Sequence, residues 1–452
     1  MAITIHQEPT VPNMANANLL WLVTSTQVTQ PQFQFVCDIY ESGSATLLQR
    51  VKQQPNPNSK GVFDLGNILP TYLESDNVWK ASPFATSSNC NIDFIVKFGE
   101  EYGTSPSSSV ILYTGVATNT GDPAVTGYDF YTLTDGLVNP NEAVNFNFDS
   151  SSYYALPSAS EYITYDYNHA LTNFPNTQSV QEGEYHTLSF YNGNSYPESD
   201  TFAQDIFYYQ ITWYNSAGTS IQTDDFTNTT ANGGGPRVTS TDLWGTVAGD
   251  QTNETRLIHV GVGPQNLADA GVSIPATWAS YKIVINGQGD DGLENNDGVF
   301  ATRWFTKDTA NCEYPGVRFA WKNEFGVWDY FTFKLAQSTT SGIERQEYKQ
   351  TFVNFSTPDN DVNYNTERRG RNNYYNKITK TRTVESDWLT QEYADSLREL
   401  FFSTNVYVQE GTAFYPVVFT QTSVTEKTNP RTQKLFKYTA EWAYANEVRP
   451  RL

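Results

Sequence analysis

The sequence predicts a mainly β, multi-domain protein built of β-sandwich-like modules, with one helix in a C-terminal β-rich domain. Three observations lead there. The chain has 452 residues, and a single core rarely grows beyond ~250–300. Aromatics reach 15%, with Tyr 29, Phe 27 and Trp 10, while charged residues are only 17%; aromatic and β-branched side chains pack well on pleated surfaces. Finally, apolar residues recur with a period of two in short runs broken by Gly, Asn, Asp and Pro.

The elements follow in order. In residues 1-155, an N-terminal β-sandwich is expected. Phe33, Phe35, Cys37 and Ile39 share one face of a strand, with Gln34, Asp38 and Tyr40 largely on the other. Ile92, Phe94, Val96 and Phe98 repeat the device against Asp93 and Lys97, and 53-61 between these strands reads as a turn-rich loop. In residues 156-305, a central β domain with long loops is expected. Tyr185, Thr187, Ser189 and Tyr191 alternate with His186, Leu188 and Phe190, and Asn192-Gly193 is a hairpin signal. The segments 226-237 and 286-298 read as long surface loops, and GVGPQNL (261-267) as a turn between strands. Residues 306-452 form the expected C-terminal β-rich domain, with one helix near 386-402. There Leu389, Tyr393, Leu397, Leu400 and Phe401 recur at helical spacing, and Ser386 or Asp387 is placed to cap the start. Strands resume at 406-408, 414-420 and 434-444.

Several classes of chemistry lack their signatures. No run of ~18 apolar residues suggests a transmembrane span, and the start MAITIHQEPT does not resemble a signal peptide. Cys37, Cys90 and Cys312 have no paired spacing, so a disulfide framework or zinc site is not expected, with a Cys37–Cys90 bridge as one alternative. The glycines 233-235 are followed by no Lys-Ser/Thr, as a phosphate loop requires. His6, His169, His186 and His259 are scattered, and no nucleophile elbow supports a hydrolase, so an enzyme is not expected. No cofactor is expected either, with one exception to weigh: Asp290, Asp291, Glu294, Asn295, Asn296 and Asp297 supply oxygen donors enough for Ca²⁺, although their spacing fails the EF-hand pattern. The alternative is a solvated acidic loop.

Charge is placed unevenly. Residues 1-300 hold 8 Lys+Arg and 31 Asp+Glu, net −23, whereas 301-452 hold 20 and 18, net +2. The acidic part would repel nucleic acid and anionic lipid. The basic exception is 367-382, where Arg368, Arg369, Arg371, Lys377, Lys380 and Arg382 are interleaved with Tyr374 and Tyr375. Such a run suits a solvated strand, a docking arm onto an acidic neighbour such as a second copy, or a phosphate backbone; nucleic acid is the least favoured of these. Trp321, Phe325, Trp328, Tyr330 and Phe331 are expected as the aromatic core of the module that organises the C-terminal third.

The words GVFDLGNIL (61-69), KFGEEYG (97-103), ALTNFPN (170-176), FAWKNEFGVWDYFTF (319-333) and the ending from Ser386 onward carry a resemblance. In this order they resemble tailed-bacteriophage virion structural proteins of phages with Bacteroidetes-like and marine hosts. The resemblance implies a tail, baseplate or neck component, made in the host cytoplasm and assembled in the virion as a homo-oligomeric ring or scaffold with other tail proteins. A second expectation is a receptor- or carbohydrate-binding adhesin for host attachment, with Tyr and Trp on the 190-300 loops stacking on a host surface glycan.

Overall fold

The computed structural model describes residues 3–7, 13–14, 19–41, 46–73, 76–86, 91–103, 110–116, 131–134, 170–191, 205–229, 257–288, 298–309, 315–323, 325–351, 353–356, 361–364, 366–367, 369–421, 423 and 435–446. The protein is mainly β, with several sheets and two α-helices among these residues. Its chain divides into two compact units. The first comprises Met1–Ala310, Ala320–Tyr330 and Phe402–Thr404, and the second Asn311–Phe319, Phe331–Phe401 and Asn405–Leu452.

The first unit contains two apolar clusters, each between a pair of sheets. In the N-terminal cluster, Trp21, Val23 and Phe63 from a three-stranded sheet (Ile3–Gln7, Leu20–Ser25, Lys60–Asp64) meet residues of a six-stranded sheet. Those are Phe35, Cys37 and Ile39 on Gln34–Glu41, and Phe94, Val96 and Phe98 on Asn91–Tyr102. The alternation expected from the sequence thus selects the inner face. The alternation does not leave the other face to water, because Val36, Asp38 and Ile95 there are buried too. Asp38 tolerates burial because Arg50, directly across on Leu47–Gln53, donates from Nε to Oδ1 at 2.6 Å and from a terminal nitrogen to Oδ2 at 2.7 Å. A bidentate pair of this kind replaces the lost hydration of the carboxylate. Gly61 is required where the sheets meet, since a Cβ there would lie 2.8 Å from the Phe35 ring.

The second cluster lies between a five-stranded sheet and a three-stranded one. The first runs in the order Thr177–Val180, Gly298–Lys307, Ser280–Gln288, Asp205–Tyr214, Ser220–Thr227, and the second in the order Thr187–Tyr191, Leu257–Gly261, Phe84–Thr86. Tyr209, Ile211, Trp213, Tyr281, Ile283 and Phe305 from one face Leu188, Phe190, Ile258 and Val260 from the other. Thr187–Tyr191 pairs antiparallel with Leu257–Gly261. Asn192-Gly193 itself lies outside the described residues. Asp205–Tyr214 and Ser220–Thr227 form a hairpin, where the Asn215 side-chain oxygen accepts from the Ala217 and Thr219 N–H groups and Gly218 takes φ of 77°.

GVGPQNL is not a simple turn. Pro264–Asp269 forms a short helix, with Pro264 at its first turn where no N–H is needed. It positions Asn266, which is fully buried and donates to the carbonyls of Trp79 and Ala81, both at 2.8 Å, while accepting the His186 N–H at 2.8 Å. Gly263 is equally constrained: a Cβ there would stand 2.3 Å from the His186 nitrogen.

The second unit is organised on a seven-stranded sheet in the order Trp328–Phe333, Val317–Lys322, Val406–Glu410, Ala413–Phe419, Thr439–Tyr444, Arg371–Glu385, Gln337–Lys349. The stretch Ala320–Tyr330 of the first two strands belongs to the first unit. Helix Gln391–Phe402 buries Ala394, Leu397 and Leu400, and the Phe401 ring stands 5.5 Å from Phe419 and 5.6 Å from Tyr438. Phe319 completes this core at 5.5 Å from both Phe333 and Trp442. The helix starts later than the sequence suggests, and neither Ser386 nor Asp387 caps it. Leu389 and Phe436 exchange backbone hydrogen bonds of 2.8 and 2.9 Å, which holds 386–389 extended. Ser386 Oγ then accepts the Tyr438 N–H at 2.9 Å, and Asp387 Oδ1 accepts the Trp388 N–H at 2.8 Å.

Candidate interaction arm

The feature of the second unit that suits recognition is an arm. Gln337–Lys349 and Arg371–Glu385 pair antiparallel from Gln337↔Val384 to Lys349↔Arg371, a length of about 40 Å at ~3.4 Å per residue. A small hairpin, Val353–Ser356 with Asp361–Tyr364, lies between the two strands in sequence. Among the described residues, only the base of the second strand, Arg382–Glu385, has a neighbour on its other side, Thr439–Trp442. Gln337–Lys349 is the terminal strand of the sheet, and twelve of its thirteen residues are exposed. An arm exposed on both faces draws no stability from a core of its own.

Its base is clamped. Val384 is buried, and the Arg382 guanidinium carbon lies 4.5 Å from the Tyr444 ring centre and 5.1 Å from that of Trp442. The same group donates to the Tyr444 hydroxyl at 2.6 Å and stands 3.5 Å from Glu410, to which Tyr444 also donates. Burial and the Glu410 carboxylate raise the Tyr444 phenol pKa above its usual value, so the hydroxyl stays protonated and keeps donating. Farther out, Tyr374 is the extra residue of a bulge between the pairs Gln346↔Tyr375 and Glu347↔Asn373. A bulge re-aims its side chains. Here Tyr374 stands 6.2 Å from the Tyr348 ring and donates to Gln346 Oε1 at 2.8 Å. Tyr348, Tyr374 and Tyr375 are 47, 64 and 42% exposed.

The basic residues singled out from sequence fall into three groups. Arg369, Lys377 and Lys380 are exposed, and Arg371 stands 4.0 Å from Glu347 with its side chain 70% exposed. Arg382 differs, because it is half-buried in the clamp and holds the arm to the sheet. Arg368 lies outside the described residues. The clamp partners Glu410, Trp442 and Tyr444 were missed in the sequence. A signal was present: Trp442 and Tyr444 are two apart on a strand and so share a face.

Of the aromatic run, Trp321, Phe325, Trp328 and Tyr330 are buried and Phe331 is half-buried. Trp321, Phe325, Trp328 and Tyr330 belong to the first unit, whereas Phe331 belongs to the second and stands 5.1 Å from Phe333. Trp321 stands 5.7 Å from Phe174, and Trp328 stands 4.9 Å from Trp79 and donates to the Asp76 carbonyl at 2.8 Å. Tyr330 meets the Thr187 hydroxyl at 2.8 Å. Nearby Asn323 donates to the Leu171 carbonyl at 2.8 Å and to Asp329 at 3.0 Å.

Other candidates resolve differently. The acidic loop with Asp290, Asp291, Glu294 and Asp297 lies outside the described residues, and no group of metal-ligating side chains occurs among those described. Cys37 is a free thiol whose pKa is raised by burial and then by Asp38; Cys90 and Cys312 lie outside the described residues. Ser189 and His259 meet across paired strands at 2.7 Å, but they are 3% and 1% exposed and act as a core hydrogen bond. Burial lowers the His259 pKa to about 4 against the opposing pull of Asp76. Within 190–300, Tyr209, Trp213, Trp278 and Tyr281 are buried in the core, and Tyr196 and Trp244 of the loops lie outside the described residues. No helix among the described residues is long and apolar enough to cross a membrane. No protein-family model matches the chain, and no curated protein matches it.

Proposed function

We propose that this chain is a structural subunit of a bacteriophage virion, placed in the tail, baseplate or neck, and that it assembles through its arm with copies of itself and with neighbouring tail proteins. The arm is the observation that carries this reading. A two-stranded ribbon is marginally stable alone in water. One of about 40 Å with three exposed tyrosines is best explained as a contact element completed on assembly. Tyrosine supplies rigid, amphipathic contact area at low entropy cost. The charge distribution supports the same reading. Residues 337–385 hold 8 Lys+Arg and 6 Asp+Glu, whereas the chain as a whole is net −21. An arm of slight positive charge therefore approaches an acidic neighbour favourably. The resemblance to phage structural proteins supplies the biological setting.

The test replaces Arg369, Arg371, Lys377 and Lys380 by Glu together. These side chains are exposed, so the monomer should stay folded, while salt-sensitive association in light scattering and incorporation into particles should be lost. Unimpaired association and incorporation would overturn the arm's role.

A further inference from the structure

We infer that the arm pairs edge to edge with the arm of a second copy, through the outer strand Gln337–Lys349, to form a four-stranded antiparallel sheet about a two-fold axis at Gln346. This rests on the assembly reading above and names the partner and the register.

The two strands of the arm differ in a way that selects one edge. Arg371–Thr381 carries Arg371, Lys377 and Lys380 and no acid, so two such edges would repel. Gln337–Lys349 carries Glu344, Arg345, Glu347 and Lys349, a balanced set. Among the described residues it is also the terminal strand of its sheet, presenting a row of backbone donors and acceptors along its outer edge. Natural proteins cover or blunt such edges because they template pairing. This strand has no proline, and twelve of its thirteen residues are exposed.

Charge and overlap then select the register: an axis at Ile343 brings no opposite charges together, and one at Tyr348 pairs only three residues of the strand. In a two-fold antiparallel pair, opposite residues share a face, so the axis must pass through a residue facing its own copy. An axis at Glu344, Arg345 or Glu347 sets that charge against itself. An axis at Gln346 sets Arg345 opposite Glu347 of the second copy, twice by symmetry, and Tyr348 opposite Glu344. Residues 343–349 of both copies are then paired with no like charges opposed. The cluster of Tyr348, Tyr374 and Tyr375 beside Gln346 places aromatic surface from both copies on one face near the axis.

The test uses the full chain. Sedimentation across a concentration series should show a reversible dimer or higher oligomer. Arg345→Glu alone and Glu347→Arg alone should each weaken association about tenfold, since each turns two attractive cross-strand pairs into two repulsive ones at ~0.2–1 kcal/mol per pair. The double variant should restore it to within about threefold, which a folding defect would not do. Gln346→Cys should give a covalent dimer on mild oxidation, because that residue faces itself. A chain that stays monomeric at every concentration overturns the inference. So does association that ignores both charge reversals. If association ignores them yet is lost with the Glu replacements at 369, 371, 377 and 380, the arm remains the contact and only the edge pairing falls.

Discussion

Asn266→Ala should be among the most damaging single substitutions in the first unit, and its cost can be worked from three hydrogen bonds. The side chain is fully buried and holds the Trp79 and Ala81 carbonyls and the His186 N–H, each at 2.8 Å. Alanine withdraws one acceptor and two donated hydrogen bonds without admitting water. An orphaned buried group costs ~1–3 kcal/mol, with the N–H the more severe because a carbonyl tolerates a single partner better. About 3 kcal/mol is therefore expected, and about 6 °C in melting temperature at ~2 °C per kcal/mol for a unit of this size. Asn266→Asp separates the contributions. It keeps the acceptor for His186 but turns both donated bonds into contacts of a carboxylate with carbonyl oxygens, so it should cost at least as much. Scanning calorimetry, with tryptophan fluorescence to follow Trp79 and its neighbours, measures both variants. If both fall within ~1 kcal/mol of the parent, Asn266 is not what holds the 79–83 segment against 184–186, and the reasoning fails.

Arg382→Met keeps the apolar stem but loses the cation–π contacts and the hydrogen bond to Tyr444. It should cost about 2 kcal/mol after discounting for a side chain 36% exposed, and hydrogen exchange should quicken first at the arm's base. Arg382→Lys should cost about half as much; equal protection in all three proteins would refute the clamp. His259 gives a pH dependence. Its folded pKa is lowered from 6.5 to about 4, so the stability gained from keeping it neutral is complete above pH 6.5 and is lost as pH falls toward 4. That loss is about 3 kcal/mol at ~1.36 kcal/mol per unit. The stability advantage of the parent over His259→Gln, measured by urea unfolding, should shrink by this order between pH 7 and pH 4; a constant gap would refute it.

Much of the fold was legible because a strand encodes its buried face in alternate residues. Phe33, Phe35, Cys37 and Ile39 point to one core as their spacing requires. The helix from Gln391 was readable from Leu397 and Leu400, which recur at helical spacing. Period two does not say whether the other face is also covered, which is why the burial of Val36 and Asp38 was not legible from the spacing. Nor does it give partners. Nothing local announces that Thr187–Tyr191 pairs with a strand some 70 residues later in the chain, His259 lying opposite Ser189.

The arm shows the same division. Sequence by itself determined its chemistry: the basic residues of 367-382, the tyrosines among them, and a C-terminal third near neutrality on a strongly acidic chain. Tertiary structure alone decided that Arg382 is spent on Trp442 and Tyr444, that Tyr374 stands out on a bulge, and that Gln337–Lys349 ends its sheet. Composition and periodicity are local properties of the chain. Which charge meets an aromatic ring, and which strand edge is left open, depends on segments brought together from far apart in sequence.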